Sequence, residues 1–449
     1  MPGRYKPYSE YKDSGVQWMG EIPSHWELIQ SRRLFSQRKE RARPEDEQLT
    51  SSQKHGVIFQ KEYMELENQR VVQVISGPEI LKHVEPNDFV ISMRSFQGGL
   101  EWCKYSGSVS SAYIGLITIK HVVPEFFSYL FKCQPYIQAL QSTSNLVRDG
   151  QALRFENFSQ VSLPNIPDDE QRRIANFLDY EIIKIDTLIE KQQQLIKLLK
   201  EKRRSVISHA VTKGLNPDTK MRDSGVEWLG EVPEHWDVKR LKNTSEIVDC
   251  RNKTPEYFSD GDYFVVRTTN IKNQKLSMDG ALFTDEKNFK IWTQRGIPPA
   301  GSILFTREAP AGEVCRAPEN VKFCLGQRMM NFICNEEKYT DFLFDFLLSD
   351  CLDTYIKSVS HGSTVSHLRV EQVENIPVLV PPTDEAKKIH QYLSNIKLKY
   401  FKLTQRAEAA IALMQERRTA LISAAVTGKI DVRNWVTPKE SQTNKEVAA

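Results

Sequence analysis

Asp169–Thr212 and Asp384–Thr427 are the two stretches that most limit what this chain can fold into. In the first, Leu178, Ile185, Leu199 and Val206 fall at multiples of seven, with Ile174, Leu188 and Leu195 at the alternate positions. Ile182, Ile189 and Ile196 widen these into one stripe, the mark of a long amphipathic helix. At about 1.5 Å per residue it would reach roughly 65 Å, beyond an ordinary core helix. Gln192, Lys202 and Glu181 interrupt the seam, which argues for a rod that needs a partner rather than a tight parallel zipper. The partner is in the same chain. Asp169/Asp384, Ile174/Ile389, Glu201/Glu416, Ile207/Ile422 and Thr212/Thr427 share one offset, 384 − 169 = 215. Leu393, Tyr400, Met414 and Leu421 keep the heptad phase, with Leu403 and Ala410 between them. Two equal rods, each following a globular stretch, most simply lie side by side.

The repeat extends beyond the rods. Asp13–Trp26 (DSGVQWMGEIPSHW) matches Asp223–Trp236 (DSGVEWLGEVPEHW) at ten of fourteen positions, 210 residues apart. The paired Trp18/Trp228 and Trp26/Trp236, with Pro23/Pro233, read as packing anchors that pin each globular part to a rod, and His25 and His235 as packing or hydrogen-bonding groups. Residues 27–85 and 237–298 then differ from one another. The first opens on a helix-like LIQSRRLFSQRKE, with a strand at Val71–Ile75; the second has a strand-like Tyr263–Arg267 and a helix-like Asn288–Trp292. Similarity returns where Pro86–Arg94 parallels Pro299–Arg307, each a turn feeding an apolar strand that ends on arginine, before Gly98–Gly99 or Gly312. Strands at Tyr113–Ile119 and Met329–Cys334 and helices at Glu125–Gln141 and Thr340–Lys357 follow. Leu153-Arg-Phe-Glu156 aligns with Leu368-Arg-Val-Glu371, and Pro167 and Pro382 cut the chain before each rod. The expected organisation is a globular part over 1–167, a long helix over 168–213, a second globular part over 214–382, a second helix over 383–430, and a polar tail over 431–449. The fold class is α+β: two globular recognition domains separated by two long helices packed as an antiparallel coiled coil, with an internal pseudo-twofold repeat.

Composition excludes several classes. A net charge of +3 over 449 residues rules out a uniformly basic coat but not a local basic groove. The seven cysteines lack any CxxC pair, which points away from zinc and towards reduced, buried thiols. No signal peptide or run of eighteen apolar residues is present, so the expectation is a soluble cytoplasmic protein with no membrane contact. Catalytic signatures are missing as well. There is no [DNS]PP[YF] tetrapeptide, since Val380-Pro-Pro-Thr383 has the wrong flanks, and no GxxxxGK[ST] or GxGxxG loop. Glu385-Ala-Lys387 lies on a rod, where a solvated helix face is the simpler reading than a nuclease centre. The chain therefore reads as no enzyme, with no catalytic residue, metal or cofactor of its own.

Two similar but unequal domains on a rigid spacer suit recognition of something in two parts. Double-stranded DNA fits, because base edges are read by a few side chains while phosphate contacts fix the register. Half-sites about 34 Å apart are within reach of such a rod. The candidate contacts are polar or basic residues in turns beside the repeated strands. They are Arg94, Ser95, Gln97, Arg148, Gln151 and Arg154 in the first half, then Arg251, Asn252, Lys253, Arg267, Thr269, Asn270, Arg307, His361, Ser363 and Arg369 in the second. Arg154 and Arg369 recur at matching positions, so they more plausibly touch phosphate or brace the domain than read different bases. The basic run Lys200–Arg204 suits the negative end of a helix dipole better than DNA.

With those residues in view, the chain resembles the specificity (S) subunits of type I restriction–modification systems. The resemblance rests on the repeated DSGVEWLGEVPEHW motif, on NIPDDEQRRIANFLD at Asn165–Asp179, and on the rod ends SVISHAVTKGLN and ALISAAVTGKID. It covers residues 13 to about 432. It implies that each globular part is a target recognition domain for one half of a bipartite asymmetric DNA site, and that the helices set the spacer between the halves. It implies two methyltransferase (M) partners that use S-adenosylmethionine to methylate adenine N6, and two restriction (R) partners that use ATP and Mg. Ile182, Ile189, Ile196, Tyr400 and Ile411 would dock the methyltransferases, with burial inside the chain as the equal alternative. The rival functions are a self-contained methyltransferase or nuclease, disfavoured by the missing motifs, and a protein-interaction scaffold that binds no DNA.

Overall fold

A computed structural model of the chain describes residues 5–70, 80–92, 100–120, 122–143, 153–250, 253–308, 310–359 and 367–436. The two long helices are Asp168–Lys213 and Thr383–Val426. Each starts directly after the proline that closes the preceding segment, with acidic residues in its first turn where the helix dipole favours them. The chain divides into two compact units, and the division falls within the helices rather than at their ends. One unit holds Met1–Gln192 with Ala409–Ala449, the other Gln193–Glu408. Each unit therefore contains the start of one long helix and the end of the other.

The repeated fourteen-residue motif is a hairpin, and its invariant letters follow from its turn. Tyr11–Asp13 pairs antiparallel with Glu21–Pro23, and Met221–Asp223 with Glu231–Pro233. The Asp13 carboxylate accepts the Gly15 N–H at 2.9 Å and the Ser14 hydroxyl accepts the Val16 N–H at 3.1 Å. Asp223 and Ser224 do the same for Gly225 and Val226. Gly15, Gly20, Gly225 and Gly230 all take positive φ, where other residues are strained.

The motif ends by clamping both helices of its unit. Trp26 is fully buried and donates from Nε1 to Glu170 Oε1 at 3.0 Å, while His25 Nε2 lies 2.8 Å from Glu170 Oε2. Tyr8 donates its hydroxyl to the same carboxylate at 2.6 Å. In the second unit Trp236 Nε1 donates to Glu385 at 3.0 Å, and His235 Nε2 lies 2.7 Å from it. The glutamates sit in the first turn of each long helix. The end of the other helix packs on the same tryptophan: a Cβ on Gly428 would lie 2.8 Å from Pro23 Cγ and 3.1 Å from Trp26 Cζ3. Gly214 occupies the corresponding place, where a Cβ would lie 3.5 Å from Trp236 Cζ2. Gly428→Ala should therefore cost more than about 2 kcal/mol, combining left-handed strain with overpacking. Gly225→Ala, with open space around it, should cost about 1–2 kcal/mol. Urea melts of the two variants check the difference.

Both units then build the same sheet. In the first, Phe35–Gln37, Tyr113–Thr118, Phe89–Ser92 and Glu101–Trp102 pair antiparallel in that order. In the second, Ser245–Asp249, Met329–Cys334, Ile303–Thr306 and Val314–Arg316 repeat it. The strand after the hairpin pairs with the strand before the long helix, Glu27–Gln30 with Ser162–Asn165 and Asp237–Arg240 with Pro377–Val380. Each globular part is thus closed end to end. Leu28–Glu40 is consequently not the helix its sequence suggests: pairing with residues 162–165 and 116–118 overrides the local pattern. The expected helix at Glu125–Gln141 is two, Pro124–Leu130 and Gln134–Ser142, restarted at a proline that cannot donate a helical hydrogen bond. Its counterpart also divides, into Thr340–Leu347 and Asp350–Val359. The segment Val71–Ile75 lies outside the described residues.

The dissimilar regions form separate small cores on this shared frame. In the first unit Leu49, Val57, Val84, Val90, Cys103 and Val109 pack together. In the second, Val248, Phe264, Cys315, Phe323, Leu325 and Met329 do so around a three-stranded sheet with one parallel pair. Burial pushes the Cys103 thiol up to about 11 and those of Cys133, Cys315 and Cys324 up to about 12. These cysteines serve as small apolar side chains.

The hydrophobic stripe on the first long helix is phased differently from the sequence expectation. One shielded row runs through Leu178, Ile182, Ile185, Ile189, Gln192, Ile196, Leu199, Arg203, Val206 and Ala210, spaced alternately by four and three. Ile182 is 5% exposed, whereas Leu188 and Leu195 are 50% and 42% exposed. Ile182, Ile189 and Ile196 thus take the alternate seam positions in place of Leu188 and Leu195, while Ile174 is fully buried as its spacing predicts. On the second helix Leu393, Tyr400, Leu403, Ala407, Ala410, Ile411, Met414 and Leu421 are buried or half-buried.

Candidate nucleic-acid interface

Of the sequence candidates, Arg94, Ser95, Gln97, Arg148, Gln151, Arg251, Asn252, His361 and Ser363 lie outside the described residues. The described ones separate by burial. Arg154 and Arg369 occupy the same place in their units, one residue after a buried leucine (Leu153, Leu368) and at the start of a short helix. The Arg154 N–H donates to Asn157 Oδ1 at 2.9 Å and the Arg369 N–H to Gln372 Oε1 at 2.8 Å. The recurrence therefore has a backbone cause, the capping of a helix, and both guanidinium groups remain exposed. Lys253 and Thr269 are exposed too.

Arg267, Asn270 and Arg307 are engaged within the protein. Arg267 donates from Nη2 to the Gly280 carbonyl at 2.6 Å, and Asn270 is fully buried. Asn270 accepts the Arg267 N–H at 3.0 Å and donates to the Ser277 carbonyl at 3.2 Å, which fixes the turn at Thr268–Asn270. Arg307 is 5% exposed, with Nε 3.5 Å from Asp249 Oδ1. Asn270 and Arg307 are interior struts rather than surface contacts, because a buried polar group needs partners inside the protein.

The structure also exposes a charged cluster that no sequence motif marks. Arg328, in the turn between Phe323–Leu325 and Met329–Cys334, places Nε 2.7 Å from Glu308 Oε2. Glu308 Oε1 meets His367 Nδ1, and the two residues form an antiparallel bridge. Thr254 and the exposed Gln327 lie beside it, with Thr254 Oγ1 3.4 Å from Gln327 Oε1. The only signal in the sequence is a Gly-Gln-Arg turn between two apolar strands.

On the long helix the basic run Lys200–Arg204 is not at the terminus, since the helix continues to Lys213. Arg203 donates to Gln274 Oε1 at 3.0 Å, and Arg204 pairs with Asp353 at 3.1 Å and Asp350 at 3.4 Å. Arg203 and Arg204 brace the second globular part, far from the negative end of the helix dipole. A further brace centres on fully buried Asp345, which holds Lys397 and lies 2.8 Å from His390 Nδ1. Ser394 Oγ is 3.2 Å from His390 Nε2, which gives a serine–histidine–aspartate order. Lys397 shares the carboxylate, so the group acts as an ion-paired tie to the long helix. Among the described residues no cluster of three or more His, Cys, Asp or Glu could hold a metal, and no helix is long and apolar enough to cross a membrane.

The fold and this surface define a class: a protein of two topologically repeated α+β units joined by long helices, with differing polar turns on a common frame. Residues 233–412 match the family model described as type I restriction modification DNA specificity domain. The type I restriction enzyme MjaVIII specificity subunit of Methanocaldococcus jannaschii is 22% identical over 367 residues, spanning 80% of this chain and 82% of that one. The HsdS subunit of Thermoanaerobacter tengcongensis covers 91% of this chain and 98% of its own, at a TM-score of 0.50 and 14% identity. A chain solved in work on complex assembly and conformational transition of the type I R-M system gives a TM-score of 0.60 at 13% identity, over 91% of this chain and 99% of its own. The chain is thus similar to type I restriction enzyme specificity subunits, and the match to the specificity-domain model lies in its second half.

Proposed function

We propose that this chain is the non-catalytic DNA-recognition subunit of a type I restriction–modification complex, each unit reading one half of a bipartite asymmetric site. The observation that carries this reading is one frame bearing two unlike insertions. The same sheet order and hairpin clamp recur, while the small cores of the two units differ in strands and residues. Two identical readers would select a palindrome, and two different readers on equal frames select unequal half-sites.

The long helices then act as the spacer, packed as an antiparallel coiled coil. Contacts inside the first unit support that course: Asp186 pairs with Arg418 at 3.1 Å, while Phe177, earlier on its helix, meets Trp435, later in the chain. With Ile182, Ile189, Ile196, Tyr400 and Ile411 shielded, the outward apolar residues are left to dock two methyltransferase subunits. Those are Ile183, Leu188, Leu195 and Leu198, with Leu398, Phe401 and Leu413. S-adenosylmethionine would belong to the methyltransferase partners, and ATP with Mg to the two restriction subunits.

Co-expression with the cognate methyltransferase, followed by genome-wide mapping of N6-methyladenine, tests the reading. The expected result is one asymmetric two-part motif with a fixed gap, and DNA affinity that falls steeply with salt. A stable complex whose methylation is absent or independent of this chain, with salt-insensitive binding, would favour a protein scaffold instead.

A further inference from the structure

We propose that Arg328 is a specificity-determining residue of the second unit, pairing with a guanine in the half-site that this unit reads; the proposal rests on the DNA-recognition reading above. Three observations lead to it. The first is backbone strain. Arg328 takes φ +72 in the turn that closes with the Met329 N–H to the Gly326 carbonyl. Only glycine and, less often, asparagine or aspartate adopt that conformation readily. The peptide is nevertheless fixed there, its N–H on Cys250 Sγ at 3.2 Å and its carbonyl accepting the Arg307 N–H at 2.9 Å. A partly exposed ion pair does not offset the cost of holding an arginine left-handed. Strain kept at a surface position in this way points to use.

The second observation is how the guanidinium is held. Glu308 is 18% exposed and grips Arg328 through Nε, while Arg328 itself is 45% exposed. Glu308 is in turn fixed by His367 and by the bridge between their backbones. The carboxylate approaches nearest to Nε, and the Nη1/Nη2 edge donates no hydrogen bond among the described residues. That edge carries the two parallel donors that match guanine O6 and N7. The carboxylate thus removes the rotameric freedom that binding would otherwise have to remove.

The third is asymmetry between the units. The counterpart turn, Ser110–Tyr113, closes with the same bond, the Tyr113 N–H to the Ser110 carbonyl at 3.0 Å, and leads into the equivalent strand. It carries Ala112 where the second unit has Arg328. A brace needed by the common frame would be expected in both units; a residue that reads sequence belongs to one.

The test uses the purified complex of the full chain with its methyltransferase, titrated against duplexes bearing the mapped motif with each base pair of the second half-site replaced in turn. Wild type should discriminate against replacement of one G·C pair by about 5- to 150-fold. Arg328→Ala and Arg328→Lys should lose that discrimination at the one position and keep it at all others, the first half-site included. Arg328→Gly, which relieves the left-handed strain, should melt no lower than wild type and still lose it, which separates reading from folding. Retained discrimination, an equal weakening on every duplex, or relaxation at an A·T pair or in the first half-site would overturn the proposal. Failure of the wild-type complex to recognise any two-part motif would instead remove the recognition reading beneath it.

Discussion

Removing residues 409–449 should unfold the amino-terminal unit and leave the unit of residues 193–408 folded. The deleted segment supplies Leu421, Ile422, Ala425, Val426, Ile430 and Val432 to the core that also contains Trp26, Phe35, Phe127 and Leu178. Losing two buried side chains of the size of Leu421 and Ile422 costs about 4–10 kcal/mol by large-to-small substitution series. A domain commonly has only about 5–15 kcal/mol in total. The carboxyl-side unit draws its helix contacts from Ile207, Ala210 and Val211 and from Ala386, Ile389 and Leu393, all of which remain. Peptide-resolved hydrogen exchange on the truncated chain should show protection lost in Phe89–Leu130 and kept in Ile303–Leu347. Protection retained at Phe89–Leu130 would mean that the helix end is a passenger on that core.

The second large effect concerns the buried carboxylate in the first turn of the first long helix. Glu170→Ala should destabilise the amino-terminal unit by about 3–5 kcal/mol, since it strands the buried donors of Tyr8 and Trp26. Glu385→Ala, at the matching position, should cost only about 1–2 kcal/mol. Its side chain is 26% exposed against 5% for Glu170, and water can replace the lost acceptor. Glu170→Gln keeps an acceptor oxygen and should fall between the two. Denaturant midpoints followed by tryptophan fluorescence check the order. Equal costs for the two alanine variants would show that burial does not set the strength of the clamp.

Much of this architecture is legible in the chain because the turn residues of the repeated hairpin are dictated locally. Asp13, Ser14, Gly15 and Gly20 each have a backbone reason, so their reappearance at 223, 224, 225 and 230 announces the same structure. The prolines before Asp168 and Thr383 fix the helix starts for a similarly local reason. What could not be read is what depends on distant partners. Leu28–Gln30 becomes a strand because residues 162–165 lie beside it, and nothing within LIQSRRLF records that. The seam's phase is ambiguous in sequence because Leu188 and Leu195 satisfy a heptad as well as Ile189 and Ile196 do, and one residue of rotation decides between them. At the candidate interface burial separates arginines that look alike in sequence. Arg307 ends an apolar strand and looked available, yet Asp249 and Cys250 enclose it. Arg328 carries no such mark, because a left-handed φ is not written in its side chain.

The sharing of each core between two distant stretches of chain has a consequence for biosynthesis. A ribosome releases the first 192 residues long before it makes Leu421 and Ile422. At roughly 5–20 residues per second the amino-terminal unit waits on the order of 10–50 s for its last core residues. The unit made later is complete as soon as its own helix start emerges, so the order of folding runs against the order of synthesis. During that interval the seat for the final helix is an open apolar groove on a nascent chain, a natural point for chaperone capture and for mispairing with a second copy.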